Sequence, residues 1–237
     1  MKWKEWILCC IYPRRCPVCD GIIRPEEGEV CSTCWEKIRD AEGFHCKKCG
    51  KFIEDGDREF CQDCENRRKR FDEGYGIFPY AGWVQESMSR FKFHGRVEYG
   101  RFYGKIMAAQ AADRIERWKV QVILPVPMHR KKEKRRGYNQ AEILAREVGK
   151  TLGIPVRKDL VFRTRNTKPL KEMTPEMRRK NLRDAFRAVP ECGRYKSILL
   201  VDDIYTTGST IDAIAKILKQ QGTEKIYFLT ACTGTGF

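Results

Sequence analysis

Apolar and polar residues follow two regimes along the chain, and the change comes near residue 70. Beyond it, short apolar runs alternate with stretches of helical period. Val120–Val126 and Ile198–Val201 are apolar runs rich in β-branched residues, the pattern of strands covered on both faces. Ile226–Thr230 is a further strand, Asp159–Thr164 another, and Gly74–Val84 reads as strand-like through Tyr75, Ile77, Phe78, Tyr80 and Trp83, with turns at Pro79 and Gly82. Helical spacing places Phe102, Ile106, Ala109 and Ile115 on one side of Tyr99–Trp118. It does the same for Ile143, Leu144 and Val148 in a helix opened by Asn139 or Gln140 and closed at Gly153. A third helix, Thr210–Gln221, buries Ile211, Ile214, Ile217 and Leu218 and stops at Gly222. Gln85–Phe93 predicts a short helix, with His94 beyond it as a capping or phosphate-facing group. Arg165–Met173 is polar and unpatterned, a lid-like loop. Thr174-Pro175-Glu176 then starts a helix that runs to near Phe186, and Thr233–Gly236 is a frayed tail. Strands alternating with helices predict an α/β domain over 71–237, with a mostly parallel sheet flanked by helices.

Residues 1–70 lack that alternation and are organised by cysteine instead. Ten of the 12 cysteines lie in the first 64 residues, and eight form CxxC pairs: Cys16/Cys19, Cys31/Cys34, Cys46/Cys49 and Cys61/Cys64. The pairs repeat every 15 residues. Each places two thiols on one turn, and a zinc ion bound by four thiolates needs two such turns, so the count predicts two structural Zn2+ sites. Glycine follows closely after Cys19 and Cys49 but not after Cys34 or Cys64. That favours sequential sets, Cys16, Cys19, Cys31, Cys34 and Cys46, Cys49, Cys61, Cys64; a crossed, RING-like arrangement is the alternative. Cys9, Cys10, Cys192 and Cys232 read as buried small hydrophobes. A module this small has little core of its own, so metal binding supplies much of its folding free energy.

Composition narrows the setting. No apolar run approaches the roughly 20 residues of a membrane span, and Trp6–Tyr12 reads as a packing segment rather than a signal peptide, so the expected location is the cytoplasm. The net charge is +15 and unevenly spread: His129–Arg183 holds 18 Lys and Arg against 6 Asp and Glu. Such a concentration favours an anionic partner, whether pyrophosphate, nucleotide or nucleic acid.

The chemistry centres on residues 198–210. Four aliphatic residues run into Asp202 and Asp203, followed by Tyr205, Thr206, Thr207, Gly208, Ser209 and Thr210 at the start of a helix. A loop at the carboxyl end of a parallel strand is where open α/β sheets bind ligands, and N–H groups and hydroxyls at a helix N-terminus suit a phosphate. Paired carboxylates can accept from sugar hydroxyls or hold a hydrated cation. The residues alone therefore allow a ribose-phosphate site or an ordinary strand–turn–helix with a Ser/Thr cap. Neither the P-loop nor the dinucleotide fingerprint is present.

The same thirteen residues closely resemble the phosphoribosyl-pyrophosphate (PRPP) motif of type I phosphoribosyltransferases. That resemblance implies the type I phosphoribosyltransferase fold, with Asp202 and Asp203 as catalytic acids on the ribose hydroxyls. It also implies that Thr206–Thr210 cradle the 5′-phosphate, with Tyr205 among the PRPP-binding residues, and that Pro127, Met128, His129 and Arg130, leaving the preceding strand, hold the pyrophosphate with Mg2+. Four features reach further: the four-cysteine ribbons, Lys92-Phe93-His94-Gly95-Arg96, the stretch from Pro125 to Arg136-Gly137-Tyr138-Asn139-Gln140, and Arg178-Arg179-Lys180-Asn181 with Phe186. Together they resemble the ComF family of competence proteins. This implies a cytoplasmic factor of natural transformation, binding single-stranded DNA and working with a DNA-import helicase and DNA-processing proteins. Lys131, Lys132, Lys134, Arg135, Arg136, Arg178, Arg179 and Lys180 are the candidate DNA contacts. Trp35, Phe91, Tyr138 and Phe162 are the available aromatics, most of them expected in the core. The alternative is a working transferase that moves phosphoribosyl from PRPP to a nitrogen acceptor.

Overall fold

The computed structural model describes residues 13–24, 27–39, 43–53, 56–165 and 185–234. In the cysteine-rich part a single turn at Ser32–Cys34 leads into α1 (Trp35–Arg39). A short antiparallel pair, β1 (Phe44–His45) and β2 (Phe52–Ile53), precedes α2 (Gln62–Glu65). The rest comprises β3 (Glu73–Pro79), α3 (Trp83–Phe93), α4 (Tyr99–Arg117), β4 (Val122–Pro125), α5 (Arg130–Arg136) and α6 (Gln140–Leu152). After these come β5 (Val161–Arg163), β6 (Phe186–Ala188), β7 (Ser197–Tyr205), α7 (Ser209–Gln220) and β8 (Lys225–Thr233).

Four strands form a parallel sheet in the order β3-β8-β7-β4. The central pair, β7 and β8, is apolar along most of its length because helices cover both faces. Successive side chains on β7 point to opposite sides, and two cores result. Leu199 and Val201 join Met88, Phe91, Tyr103, Met107, Leu144 and Val148 from α3, α4 and α6. Ile198 and Leu200 join Ile211, Ile214 and Leu218 from α7. Pro125 lies beside Val201, so the chain leaves β4 and β7 at neighbouring points on the same edge.

The two cysteine modules dock on opposite faces of this sheet. Cys16, Val18, Ile23, Val30, Cys34 and Ile38 belong to the α3/α4 core, whereas Cys46, Cys49, Ile53 and Cys61 belong to the α7 core. Asp20 anchors the first module: it accepts from the Tyr99 hydroxyl (2.5 Å) and pairs with Arg96 (3.2 Å). Glu29 adds ion pairs to Arg101 (2.8 Å) and Lys105 (2.7 Å). The second module lies along β3, where Gly74 N–H donates to the Lys48 carbonyl (3.0 Å). Gly50 makes that approach possible. Its φ is +66, and a Cβ there would sit 2.5 Å from the Tyr75 Cα.

Several elements differ from the sequence-based expectation. Residues 131–138 were expected as a basic loop, yet Arg130–Arg136 is helical. The His129 side chain accepts from Lys131 N–H (3.2 Å) at its start, Gly137 closes it at φ 87, and Lys134, Arg135 and Arg136 complement the dipole of the last turn. Phe186 begins a strand instead of ending a helix. That strand and β5 pair with each other, antiparallel and outside the main sheet. The strand at Gly74 stops at Pro79, and Trp83 already belongs to α3. Thr233 is no tail residue: it is buried in β8, in register with Tyr205. Cys192 and Cys232 are buried as expected. Trp6–Tyr12, Cys9, Cys10, most of the 165–173 loop and the helix from Thr174 lie outside the described residues.

Candidate ribose-phosphate site and metal centres

Asp202 and Asp203 end the buried part of β7 and point to opposite faces, as adjacent strand residues do. Asp203 turns to α3, where Lys92 Nζ meets its Oδ1 at 3.0 Å; both side chains are about 15% exposed. Burial alone would lower the Lys92 pKa, but the charge of Asp203, helped by Cys232 and Asp202, more than offsets it and the value lies above that of an ordinary lysine. Asp202 accepts from the Asp203 N–H (2.9 Å). Burial and then the charge of Asp203 push Asp202 up to about 8, against the pull of that N–H, Lys92 and Arg163 of β5. Thr230, in register with Asp202 on β8, buries a hydroxyl with no hydrogen-bond partner among the described residues.

The loop between β7 and α7 gathers hydroxyls and uncapped N–H groups at a helix start. Gly208 adopts φ +71, where a Cβ would stand 2.3 Å from the Tyr205 hydroxyl, so glycine is required. Thr207 and Ser209 share a hydroxyl–hydroxyl bond of 2.9 Å. Gly208 supplies no side-chain cap, which leaves the first N–H groups of α7 for another acceptor. The charged link before β3 holds the loop from outside: Lys69 Nζ donates to the Thr207 carbonyl (3.1 Å). Arg70 donates twice to Asp212, from its N–H (2.6 Å) and its guanidinium (2.9 Å).

Tyr205 departs from the expected role. Its side chain is 2% exposed, stacks on Phe228 (4.5 Å, 13°) and meets Phe71 edge-on. Burial and the neighbouring thiols Cys49, Cys64 and Cys61 raise its pKa well above the usual tyrosine value, which places the ring against the second cysteine cluster. Its ring ties the β7–α7 loop to that module.

Pro127, Met128 and His129 are half-buried and Arg130 exposed, next to the acids through the β4–β7 pairing. The His129 ring caps α5, so its Nδ1 is already engaged. The helix sorts the basic residues. Lys131, Lys134 and Arg135 are exposed, while Lys132 and Arg136, four apart, are half-buried on the side of the site. Arg136 donates to Gln140 (2.6 Å), lies 4.8 Å over the exposed Phe93 ring, and feels the charge of Asp203. Burial, and then repulsion from Arg163, Arg136 and Arg135, lowers the Lys132 pKa. Lys92, Arg136 and Arg163 therefore face the two carboxylates, with Lys132 beside the two arginines, a concentration of positive charge suited to an anion. Arg178, Arg179 and Lys180 lie outside the described residues. Phe91 is buried, Tyr138 is half-buried, and Trp35 and Phe162 are 45% and 43% exposed.

The eight paired cysteines form the sequential sets. In each, the four sulfur atoms lie within 4.8 Å of one another. Thiolates arranged tetrahedrally at about 2.3 Å from zinc stand roughly 3.8 Å apart. Cys19 and Cys31 sulfurs are separated by 3.8 Å, and those of Cys49 and Cys61 by 3.6 Å. The donor sets fit two closed structural zinc sites.

Comparison with known proteins agrees with this architecture. A double zinc ribbon family model matches residues 7–65, and a phosphoribosyl transferase domain model matches residues 105–235, more than half of the chain. Competence protein F of Haemophilus influenzae is 34% identical over 158 residues, 65% of this chain and 67% of that protein. The chain belongs to the ComF family. Among other ComF-type relatives, DNA utilization protein YhgH of Escherichia coli (strain K12) is 28% identical over 160 residues, 66% of this chain and 70% of that one. Competence protein ComFC of Bacillus subtilis (strain 168) is 29% identical over 154 residues, covering 62% of this chain and 58% of its own. Among the described residues no helix is long and apolar enough to cross a membrane.

In this ComF-type chain, sequence reasoning gave no role to Lys92, Arg163 or Thr230. Lys92 lies in the Lys92–Arg96 segment, whose two ends do different work: Lys92 pairs with Asp203, and Arg96 with Asp20 of the first ribbon. His94 between them caps α3, its Nδ1 3.3 Å from the Ser89 carbonyl.

Proposed function

We propose that this protein is a cytoplasmic competence factor whose phosphoribosyltransferase domain binds PRPP with Mg2+ and whose basic surface binds single-stranded DNA. The observation that carries the reading is the uncapped, hydroxyl-rich start of α7 at Thr206–Thr210 beside two carboxylates faced by Lys92, Arg136 and Arg163. Asp202 and the unpaired oxygen of Asp203 accept from the ribose hydroxyls. The first turn of α7 takes the 5′-phosphate, and the cations of α5 and β5 face the pyrophosphate. Bound Mg2+ neutralises pyrophosphate charge. The exposed Lys131, Lys134 and Arg135 offer a sequence-independent attraction to nucleic-acid phosphates. The names of the relatives, competence and DNA utilization proteins, support a place in DNA uptake; an import helicase and DNA-processing proteins are the partners proposed with it. The test is transformation frequency in a competent host that carries Asp202→Ala with Asp203→Ala in place of its own copy. A severe loss is expected, and undiminished transformation overturns a role for the ligand.

The cation cluster also favours a second reading, an active transferase, because fixed positive charge stabilises a departing pyrophosphate. Purines, pyrimidines and amines screened for pyrophosphate release decide it. Turnover with any acceptor establishes the enzyme, and release with none leaves a binding site.

A further inference from the structure

At the amino end of the edge strand β3, two strands across from Asp202, the second zinc ribbon and the last turn of α4 line a cleft of about 410 Å³. That volume falls in the range of roughly 300–1,000 Å³ typical of small-molecule sites. Flat side chains line its wall. The Arg114 guanidinium lies 4.5 Å over the Tyr75 ring, and His45 stands 5.2 Å from the same ring. Glu73 locks this arrangement, pairing with Arg114 (3.1 Å) and accepting from the Trp118 indole N–H (3.0 Å); Trp118 in turn stacks on Tyr227 at 4.6 Å. Glu73 is thus satisfied within the wall, and Lys47 at the rim pairs with Glu59. Arg117, exposed at the same rim, makes no ion pair among the described residues. Lys119 follows at φ 50, a left-handed backbone that lysine rarely adopts, and adds another exposed cation beside Trp118.

A guanidinium and aromatic plate with an arginine beside it that has no ion pair among the described residues fits a flat ring that carries a phosphate. Bases stack on aromatic and arginine planes with little regard to sequence, while arginine takes the backbone charge. We infer that this cleft between ribbon and sheet is a second binding site, one that holds a nucleotide unit of a single strand. It rests on the nucleic-acid part of the proposed function. It places a contact point at the opposite end of the sheet from α5.

The test uses the full-length, zinc-loaded protein and a fluorescein-labelled single strand followed by anisotropy at low salt, with a free nucleoside monophosphate as a separate arm. Arg117→Glu is the principal variant, because an exposed side chain at a helix end leaves the fold intact. Ultraviolet cross-linking with peptide mapping is the independent readout. The expected result is at least a tenfold rise in Kd for Arg117→Glu, with cross-links in 73–75 or 114–118. A Kd within twofold of wild type and cross-links confined to other segments overturn the site while leaving strand binding in place. If wild type binds no strand, the nucleic-acid reading falls. Monophosphate binding that Arg117→Glu abolishes then assigns the cleft to free nucleotides. Binding of neither ligand removes the proposal altogether.

Discussion

Replacing Lys92 by Met leaves the Asp203 carboxylate in its buried position beside Asp202 with its one direct ion pair among the described residues gone. The two side chains meet at 3.0 Å and are about 15% exposed. Removal of one partner from a buried pair costs about 3–5 kcal/mol, because the remaining charge has lost its compensation. In an Asp203→Asn background the same change removes a cation whose direct partner is already gone and which keeps only the weaker attraction of Asp202. Its cost should then fall to about 1 kcal/mol, so the double-mutant cycle should show a coupling of about 2–4 kcal/mol. Urea unfolding followed by tryptophan fluorescence reads the four variants. Zinc is held at one saturating concentration throughout, since metal binding is itself folding free energy. Additivity within about 0.5 kcal/mol would mean that the pair is an incidental contact, and the electrostatic account of the acid pair would fail.

Asp202, raised from 3.8 to about 8, contributes stability that is full below about pH 4 and is lost progressively as pH rises to 8. Asp202→Asn should therefore match wild type near pH 4 and surpass it near pH 8, as read from urea midpoints; parallel profiles would contradict the burial argument. Gly208→Ala forces a Cβ to within 2.3 Å of the Tyr205 hydroxyl at a positive φ and should destabilise by about 1–3 kcal/mol. An unchanged thermal midpoint would show that the loop is slack. A strong chelator should make residues 1–70 protease-sensitive and, because both ribbons contribute to the sheet's two cores, also loosen the domain behind them. Retained resistance without metal refutes the zinc account.

The parts of this protein that were legible in the sequence are those whose cause is local. The run from Ile198 to Thr210 carries its strand, acids, glycine and helix start within thirteen residues. The 15-residue cysteine period likewise predicted the two sulfur clusters. Helix α5 was hidden because Arg130–Arg136 has no apolar period: its causes are a histidine cap and a left-handed glycine. Tyr205 sits inside the motif and looked like a ligand. Its role is set by Phe71, Phe228 and the second ribbon, which only the fold brings to it. The Lys92–Asp203 pair joins residues far apart in the chain, and nothing near Lys92 reports its partner. The docking of the two ribbons on opposite faces was equally silent, since Asp20 and Gly50 meet their partners only in three dimensions.

Calorimetric titration of the zinc-loaded protein with PRPP and Mg2+, repeated on Asp202→Ala with Asp203→Ala, tests the central claim. Saturable binding by the wild-type chain and none by the double variant is the result predicted here. Equal heats from both proteins, or no binding by the wild type, would contradict a ribose-phosphate site at the end of β7.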